Sequence, residues 1–217
     1  RNHFEKVSLE LERIRREGNI KDMETWGRIS ALSALSGHIN LADLIRELHK
    51  LDITEAWGGA ASVWTHPENI KQHREQCLNG IEAGLKAGSR HATMVARHTE
   101  NIFRDKASPI SIPIELIQLC FTVFEIDSEN KHHRLIGFDE WLNSISQRDP
   151  DLALAATEIY LTYTSRVRSH FSDYRNQLVQ LVTRLFAEAE EREDSDKGAM
   201  LNRVISVQDS LLFLGIN

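Results

Sequence analysis

The polar pattern with the clearest chemistry is a row of arginines, Arg90, Arg97 and Arg104, each seven residues from the next. On an α-helix this spacing keeps the three side chains on one stripe, because the drift is only ~20° per heptad. His91 and His98 repeat at the same interval beside them. Guanidinium groups suit phosphate and carboxylate better than ammonium groups do. These five residues are therefore candidates for a binding surface.

The overall charge decides which partner of such a surface is favoured. The chain has 32 acidic and 26 basic side chains, which gives a net charge of −6 at pH 7. Domains that bind nucleic acid usually carry a basic excess. The arginine row is therefore interpreted as a face that contacts a protein partner or another domain of the parent chain, and a nucleic-acid- or phosphate-binding domain is the alternative. The remaining interpretation is that the arginine row is a solvated helix face with local ion pairs, and in that case it binds no partner.

The ten histidines raise the question of a metal site. His91 and His98 are two helical turns apart, which separates them by ~10 Å, too far to share one ion without other ligands. The sequence lacks a phosphate-binding glycine loop, a Gly-x-Ser-x-Gly elbow and a His-Glu-x-x-His motif. No catalytic residue, metal or cofactor is therefore expected, and a metal-dependent helical enzyme is the second alternative.

Helical periodicity of the apolar residues dominates the whole chain. A β-strand is an alternative only for the segment that follows Pro113. The approximate predicted helices are Phe4–Arg16, Asp22–Ser36, Leu41–Lys50, Thr54–Trp64, Pro67–Lys86, Arg90–Lys106, Pro113–Ile126, Phe138–Gln147, Leu152–Ser169, Ser172–Arg192 and Lys197–Leu214.

Two of these helices carry local signals for packing. The pair Gly58–Gly59 would let a neighbouring helix come close to the helix that Thr54 is predicted to cap. The helix after Pro113 is apolar on nearly all sides, which is typical of a buried element. Phe121 and Phe124 are therefore predicted to be core residues.

The last third of the chain resembles a HEAT-like helical repeat. The segment 149–159 reads Asp-Pro-Asp-Leu-Ala-Leu-Ala-Ala-Thr-Glu-Ile, and a comparable helix start at 195–201 follows about 46 residues later, within the ~40–47 residues of such repeats. The resemblance covers Phe138 to Asn217 and implies scaffolding and macromolecular binding. For the first two thirds of the chain, an irregular helical bundle remains the alternative to a solenoid-like stack of antiparallel hairpins.

The length and composition of the chain bound its domain organisation and its cellular location. The 217 residues, 41% of them hydrophobic, can bury a sizeable core, and a single all-α domain over 1–217 with a soft boundary near 106–112 is expected. Cys77 and Cys120 cannot form a disulfide framework, which favours a reducing cytoplasm. No segment approaches the ~20 apolar residues of a membrane span. Because the chain does not begin with Met, we expect it to be part of a longer protein. The sequence thus predicts a non-catalytic cytoplasmic scaffold.

Overall fold

The fold is all-α in the computed structural model, which describes residue 13 and residues 20–104, 109–126, 137–167, 175–193 and 196–213. These ranges contain helices and no strand, so the predicted fold class is confirmed. The strand alternative after Pro113 is wrong, because a helix spans Ile114–Ile126. The predicted helix Phe4–Arg16 lies outside the described residues apart from Arg13. Among the described helices, none is long and apolar enough to cross a membrane.

The chain divides into two compact units, Arg1–Ile102 and Phe103–Asn217. This division falls just ahead of the predicted soft boundary at 106–112, and the single-domain organisation stays a prediction. The helices of the first unit are α1 (Ile20–Leu35), α2 (Leu41–Leu51), α3 (Thr54–Trp64), α4 (Pro67–Gln72), α5 (Arg74–Leu85) and α6 (Ser89–His98). A short helix, α7 (Glu100–Phe103), crosses the division.

Helix α3 is the centre of the first unit, where it packs against α1, α5 and α6. Its apolar residues recur at helical spacing, and the side chains of Trp57, Ala60, Ala61 and Trp64 are all fully buried. A helix that is apolar on most sides needs neighbours on most sides. The unit is therefore built around α3, with the other helices as its surroundings.

Two helices that the sequence predicts as continuous are interrupted. The backbone leaves the helical conformation at His73, with φ −131° and ψ 45°, which separates α4 from α5. At Thr99 both the backbone N–H and the hydroxyl donate to the carbonyl of Ala96, at 3.1 and 2.6 Å, and this tight turn ends α6. Periodicity did not reveal either break, because buried residues such as Ile70 and Cys77 keep a helical spacing across it.

The second unit contains α8 (Ile114–Ile126), α9 (Phe138–Ile145), α10 (Pro150–Val167), α11 (Arg175–Glu191) and α12 (Lys197–Phe213). Helix α10 packs against α8, α9 and α12, and α11 packs against α9 and α12. The predicted break between α9 and α10 is confirmed, because Pro150 begins α10 and the Asp149 carboxylate caps it by accepting from Leu152 N–H at 3.0 Å. Phe121 and Phe124 are buried as predicted.

Candidate functional site

The arginine row is exposed, but it does not lie on one helix. Arg90, Arg97 and Arg104 are all exposed. Arg90 and Arg97 lie on α6, whereas Arg104 follows α7 and belongs to the second unit. The predicted continuous helix Arg90–Lys106 is therefore wrong, because the Thr99 turn ends α6. The residues on the opposite side of this segment are buried: Ala92, Val95, Ala96, Thr99 and Ile102. Binding by this row stays a prediction.

His91 was expected beside the arginines, but it is buried, with 8% of the residue exposed. Its Nε2 lies 2.8 Å from Asp52 Oδ1, and its Nδ1 lies 3.2 Å from Thr54 Oγ1. The imidazole stacks on Trp57 with ring centroids 6.1 Å apart. The prediction that Thr54 caps α3 is also wrong, because Ile53 occupies the cap position and the Thr54 hydroxyl pairs with His91. We call these four residues, Asp52, Thr54, Trp57 and His91, the His91 cluster.

The His91 cluster closes the α2–α3 turn onto α6. Both ring nitrogens are satisfied when Nε2–H donates to Asp52 and Nδ1 accepts from the Thr54 hydroxyl. Asp52 holds a left-handed conformation, φ 53°, at the end of α2, a conformation that Asp and Asn tolerate better than most residues. The cluster thus fixes a turn through one buried imidazole. The side chain of Asp52 is 85% exposed.

Substitution of Asp52 tests whether the His91 cluster stabilises the α2–α3 turn. We expect Asp52→Ala to lower the free energy of unfolding by about 1–2 kcal/mol, because it removes the acceptor of the His91 bond and places Ala in the left-handed region. Asp52→Asn keeps both an acceptor oxygen and the backbone preference, so its cost should be under about 0.5 kcal/mol. Urea denaturation followed by circular dichroism measures both. Equal losses for the two variants would contradict this account of the turn.

His98 is half-buried on the α6 side that faces α1 and α3, and its Nε2 would be 3.7 Å from a Cβ added at Gly58. Burial lowers its pKa below 6.5, and nearby Arg28 adds to the effect, while Glu24 and Glu100 oppose it. Because the pKa of His98 is lower in the folded state, this side chain contributes to the stability of the fold above pH 6.5. That contribution is lost as the pH falls through the folded pKa. The structure thus places His91 and His98 in different environments, although the sequence predicted them on one face.

Metal-ligand candidates are scattered. Among the described ranges, no group of three or more His, Cys, Asp or Glu side chains is arranged to hold a metal ion. Cys77 and Cys120 are both buried with free thiols, and burial raises the pKa of Cys77 to about 12. A protonated, buried thiol is a poor nucleophile.

The second unit carries a groove between α8 and α10, which we call the α8–α10 groove. Its volume is about 360 Å³. From α8 it is lined by Ile114, Gln118, Phe121, Thr122 and Glu125, and from α10 by Ala155, Glu158, Ile159, Thr162 and Tyr163. On each helix these positions recur at intervals of three or four residues, so they form two facing rows. The row on α8 spans twelve residues, from Ile114 to Glu125, or roughly 16 Å along the helix axis.

The base of the groove is a packed aromatic cluster. Phe121 and Tyr163 are nearly fully buried, and their ring centroids are 5.0 Å apart. Phe121 also contacts Phe138 and Tyr160, with centroid distances of 5.2 and 5.8 Å. Rings held from several sides in this way lose little further freedom when a ligand arrives. The groove is therefore preformed.

The polar side chains along the groove are an amide, two carboxylates, two threonine hydroxyls and a tyrosine hydroxyl: Gln118, Glu125, Glu158, Thr122, Thr162 and Tyr163. The hydroxyls of Thr122 and Thr162 donate to carbonyls four residues earlier in their own helices, Gln118 and Glu158, at 2.9 and 2.8 Å. The charged lining residues are Glu125 and Glu158. Burial, with a smaller contribution from Glu125, raises the pKa of Tyr163 to about 12. The lining thus combines apolar surface with two carboxylates.

Glu158 is fixed from outside the groove by α12. Arg203 Nε donates to Glu158 Oε1 at 3.0 Å and its Nη2 donates to Oε2 at 2.8 Å. This bidentate pairing raises the pKa of Arg203. Because the side chains are about 40% exposed, the pair orients the carboxylate more than it stabilises the fold.

Sequence reasoning did not find this groove. The segment after Pro113 is apolar on nearly all sides, which predicted a buried element and gave no indication of the side of α8 that faces solvent. The only available signal was the stripe of Gln118, Thr122 and Glu125, three polar residues at helical spacing within that apolar run. Comparisons of the chain with protein-family models, curated proteins and solved structures found no match. Function is therefore inferred from the groove and its surroundings.

Proposed function

We propose that this chain is a non-catalytic helical scaffold of a larger cytoplasmic protein, and that its α8–α10 groove docks a helix. The helix would come from a protein partner or from another domain of the parent chain. The observation that carries this proposal is the pair of facing side-chain rows over a preformed aromatic base. An amphipathic helix laid in such a groove presents residues at i, i+3, i+4 and i+7 to it.

The chemistry of the lining supports a docking function over a catalytic one. Hydroxyls that could act as nucleophiles, those of Thr122 and Thr162, are engaged with their own helical carbonyls. Among the described residues that line the groove, none is a histidine, cysteine or lysine. Apolar side chains over about three helical turns instead offer the kind of surface that anchors the apolar face of a helix. The HEAT-like resemblance of Phe138–Asn217 implies the same class of function.

A substitution that blocks the α8–α10 groove tests the docking proposal directly. We expect Thr122→Arg to abolish peptide binding, because the new side chain occupies the space that an incoming helix needs. Thr183→Arg is the matched control: Thr183 is also an exposed helical threonine whose hydroxyl bonds four residues back, at 2.8 Å, but it lies on α11 outside the groove. Both changes add the same charge.

The probes are three Ala-based helical peptides of about sixteen residues, long enough to hold a helix. They share one leucine stripe and carry Lys, Gln or Glu on the polar face. Fluorescence anisotropy measures affinity, and hydrogen exchange locates the protected helices. Binding of at least one peptide that protects α8 and α10, survives in Thr183→Arg and disappears in Thr122→Arg supports the proposal. Absence of binding by all three, or binding that ignores Thr122→Arg, overturns it.

A further inference from the structure

We propose that the last turn of α6 is held in the first unit by an acid-sensitive contact, which protonation of His98 releases. The imidazole is half-buried, and among the described residues neither of its ring nitrogens has a hydrogen-bond partner. A neutral ring tolerates such a position, whereas a charged ring loses part of its hydration there without gaining an acceptor. Acidification therefore favours any conformation in which the ring returns to solvent.

The surface that the ring meets on α3 is apolar. A Cβ added at Gly58 would lie 3.7 Å from His98 Nε2, and 3.1 and 3.5 Å from Cγ and Sδ of Met94. Neither a glycine without a side chain nor a methionine thioether supplies the strong oxygen acceptor that the N–H of a charged imidazole needs. The contact with α3 is therefore suited to the uncharged ring.

The charges around the ring limit this effect without cancelling it. Glu24 of α1 and Glu100 of α7 favour the charged ring, whereas Arg28 of α1 disfavours it. Burial outweighs all three, so the pKa of His98 lies below 6.5. Helices α3 and α5 also pack against α6, but no charged side chain of either one acts on the ring. The Glu24 carboxylate is engaged by Arg28, whose Nη2 donates to it at 2.7 Å.

The position of His98 in α6 makes a local release possible. It is the last residue of the helix, next to the tight turn in which Thr99 bonds to the carbonyl of Ala96. Helix ends open at a lower free energy than the packed centres of the same domain. An opening of this one turn returns the ring to water while the buried residues Ala92 and Val95 keep the rest of α6 in place.

A titration of the histidine ring protons by nuclear magnetic resonance tests the premise in the unmodified chain. We expect the midpoint for His98 to lie below pH 6.5, the ordinary value, because the fold disfavours the charged ring. The variant His98→Gln assigns the signal by removing it. A midpoint at or above pH 6.5 would overturn the proposal, whatever the behaviour of the variants.

Hydrogen exchange locates the release. Between pH 7.5 and 5.5, exchange of amides 96–99, corrected for its intrinsic pH dependence, should rise by about three- to tenfold, because an exposed histidine becomes mostly charged over this range. His98→Gln should abolish the rise. His66→Gln is the matched control, since it removes an exposed histidine of the same unit, and it should keep the rise. Persistence of the rise in His98→Gln, or an equal rise throughout the first unit, would contradict a local release.

A change on α1 tests whether this helix faces the ring. Arg28→Gln removes a repelling charge and frees the Glu24 carboxylate, so we expect it to raise the His98 midpoint by about 0.3 pH unit. Arg46→Gln is the matched control, because Arg46 also forms an exposed ion pair within its own helix, with Asp43 at 2.9 Å on α2. If both variants raise the midpoint equally, the effect belongs to the net charge of the chain, and the proposed contact with α1 is wrong.

Discussion

Replacement of Trp141 by alanine is expected to lower the free energy of unfolding of the second unit by about 5 kcal/mol. Removal of a buried Trp or Phe side chain costs ~3–5 kcal/mol, and Trp141 is fully buried. Its ring contacts Phe103 and Phe138, with centroids 5.3 and 5.5 Å away. Its indole Nε1–H donates to the carbonyl of Ile110 at 2.9 Å, so the truncation also leaves a buried acceptor without its donor.

The conservative variant separates packing from the hydrogen bond. Trp141→Phe keeps an aromatic ring but removes the indole donor, and an unsatisfied buried carbonyl costs ~1–3 kcal/mol. We therefore expect roughly 2 kcal/mol for Trp141→Phe, less than half the cost of Trp141→Ala. Chemical denaturation followed by circular dichroism measures both, and hydrogen exchange assigns the transition to the second unit. A cost under about 1.5 kcal/mol for Trp141→Ala would show that the core of this unit does not depend on the ring.

Several helix ends depend on local signals in the sequence, although the breaks at His73 and Thr99 were not predicted. Asn40 caps α2 by accepting from Ala42 N–H at 2.8 Å, and Gly37 ends α1 with φ +74°. Pro150 separates α9 from α10. Each of these features depends on residues within one turn of chain, so a pattern read over a few positions contains the information.

Features set by contacts between distant segments could not be predicted in this way. His91 meets Asp52 across 39 positions, and nothing within α6 distinguishes a buried histidine from an exposed one. The α8–α10 groove depends on which faces of two separate helices remain uncovered, which periodicity does not specify. The turn at Thr99 is local, but it was not predicted either: it depends on a side chain that bonds to nearby backbone, which threonine does in many helices without ending them.

The close approach of α1 and α3 was predicted only in part from the sequence. The pair Gly58–Gly59 indicated that a neighbouring helix could come near, but it did not identify the neighbour or which glycine mattered. In the structure a Cβ added at Gly59 would lie 2.0 Å from the Glu24 carbonyl oxygen of α1. A Cβ added at Gly27 would lie equally close to the Ala56 carbonyl oxygen of α3. The two helices are therefore in backbone contact from both sides.

Gly59→Ala is expected to destabilise the first unit by about 2 kcal/mol. The new methyl group would meet backbone, 2.0 Å from Glu24 O and 3.0 Å from Arg28 N, where no side chain can rotate away. The helices must separate, and overpacking of this kind costs ~1–3 kcal/mol, occasionally more. The better helix propensity of Ala offsets this by only ~1 kcal/mol. Thermal and urea denaturation measure the loss.

Gly58→Ala is the control, because it makes the same change one residue earlier. There the added Cβ would meet the Met94 side chain at 3.1 Å, and methionine has three rotatable bonds with which to adjust. We expect this variant to lie within about 1 kcal/mol of the parent, on the stabilising side if the propensity gain of Ala dominates. Similar losses for both variants would mean that α3 is sensitive to any added methyl group, and the backbone contact with α1 would not be the cause.

A double variant tests whether the two glycines act at one contact. Once Gly59→Ala has forced α1 and α3 apart, Gly27→Ala should meet an already widened gap. The loss in the double variant should therefore be smaller than the sum of the two single losses by about 1 kcal/mol or more, since neighbouring changes at a shared contact are not additive. Simple additivity would instead mean that each glycine is required for a separate reason, and that α1 and α3 can shift locally at one position while staying in contact at the other.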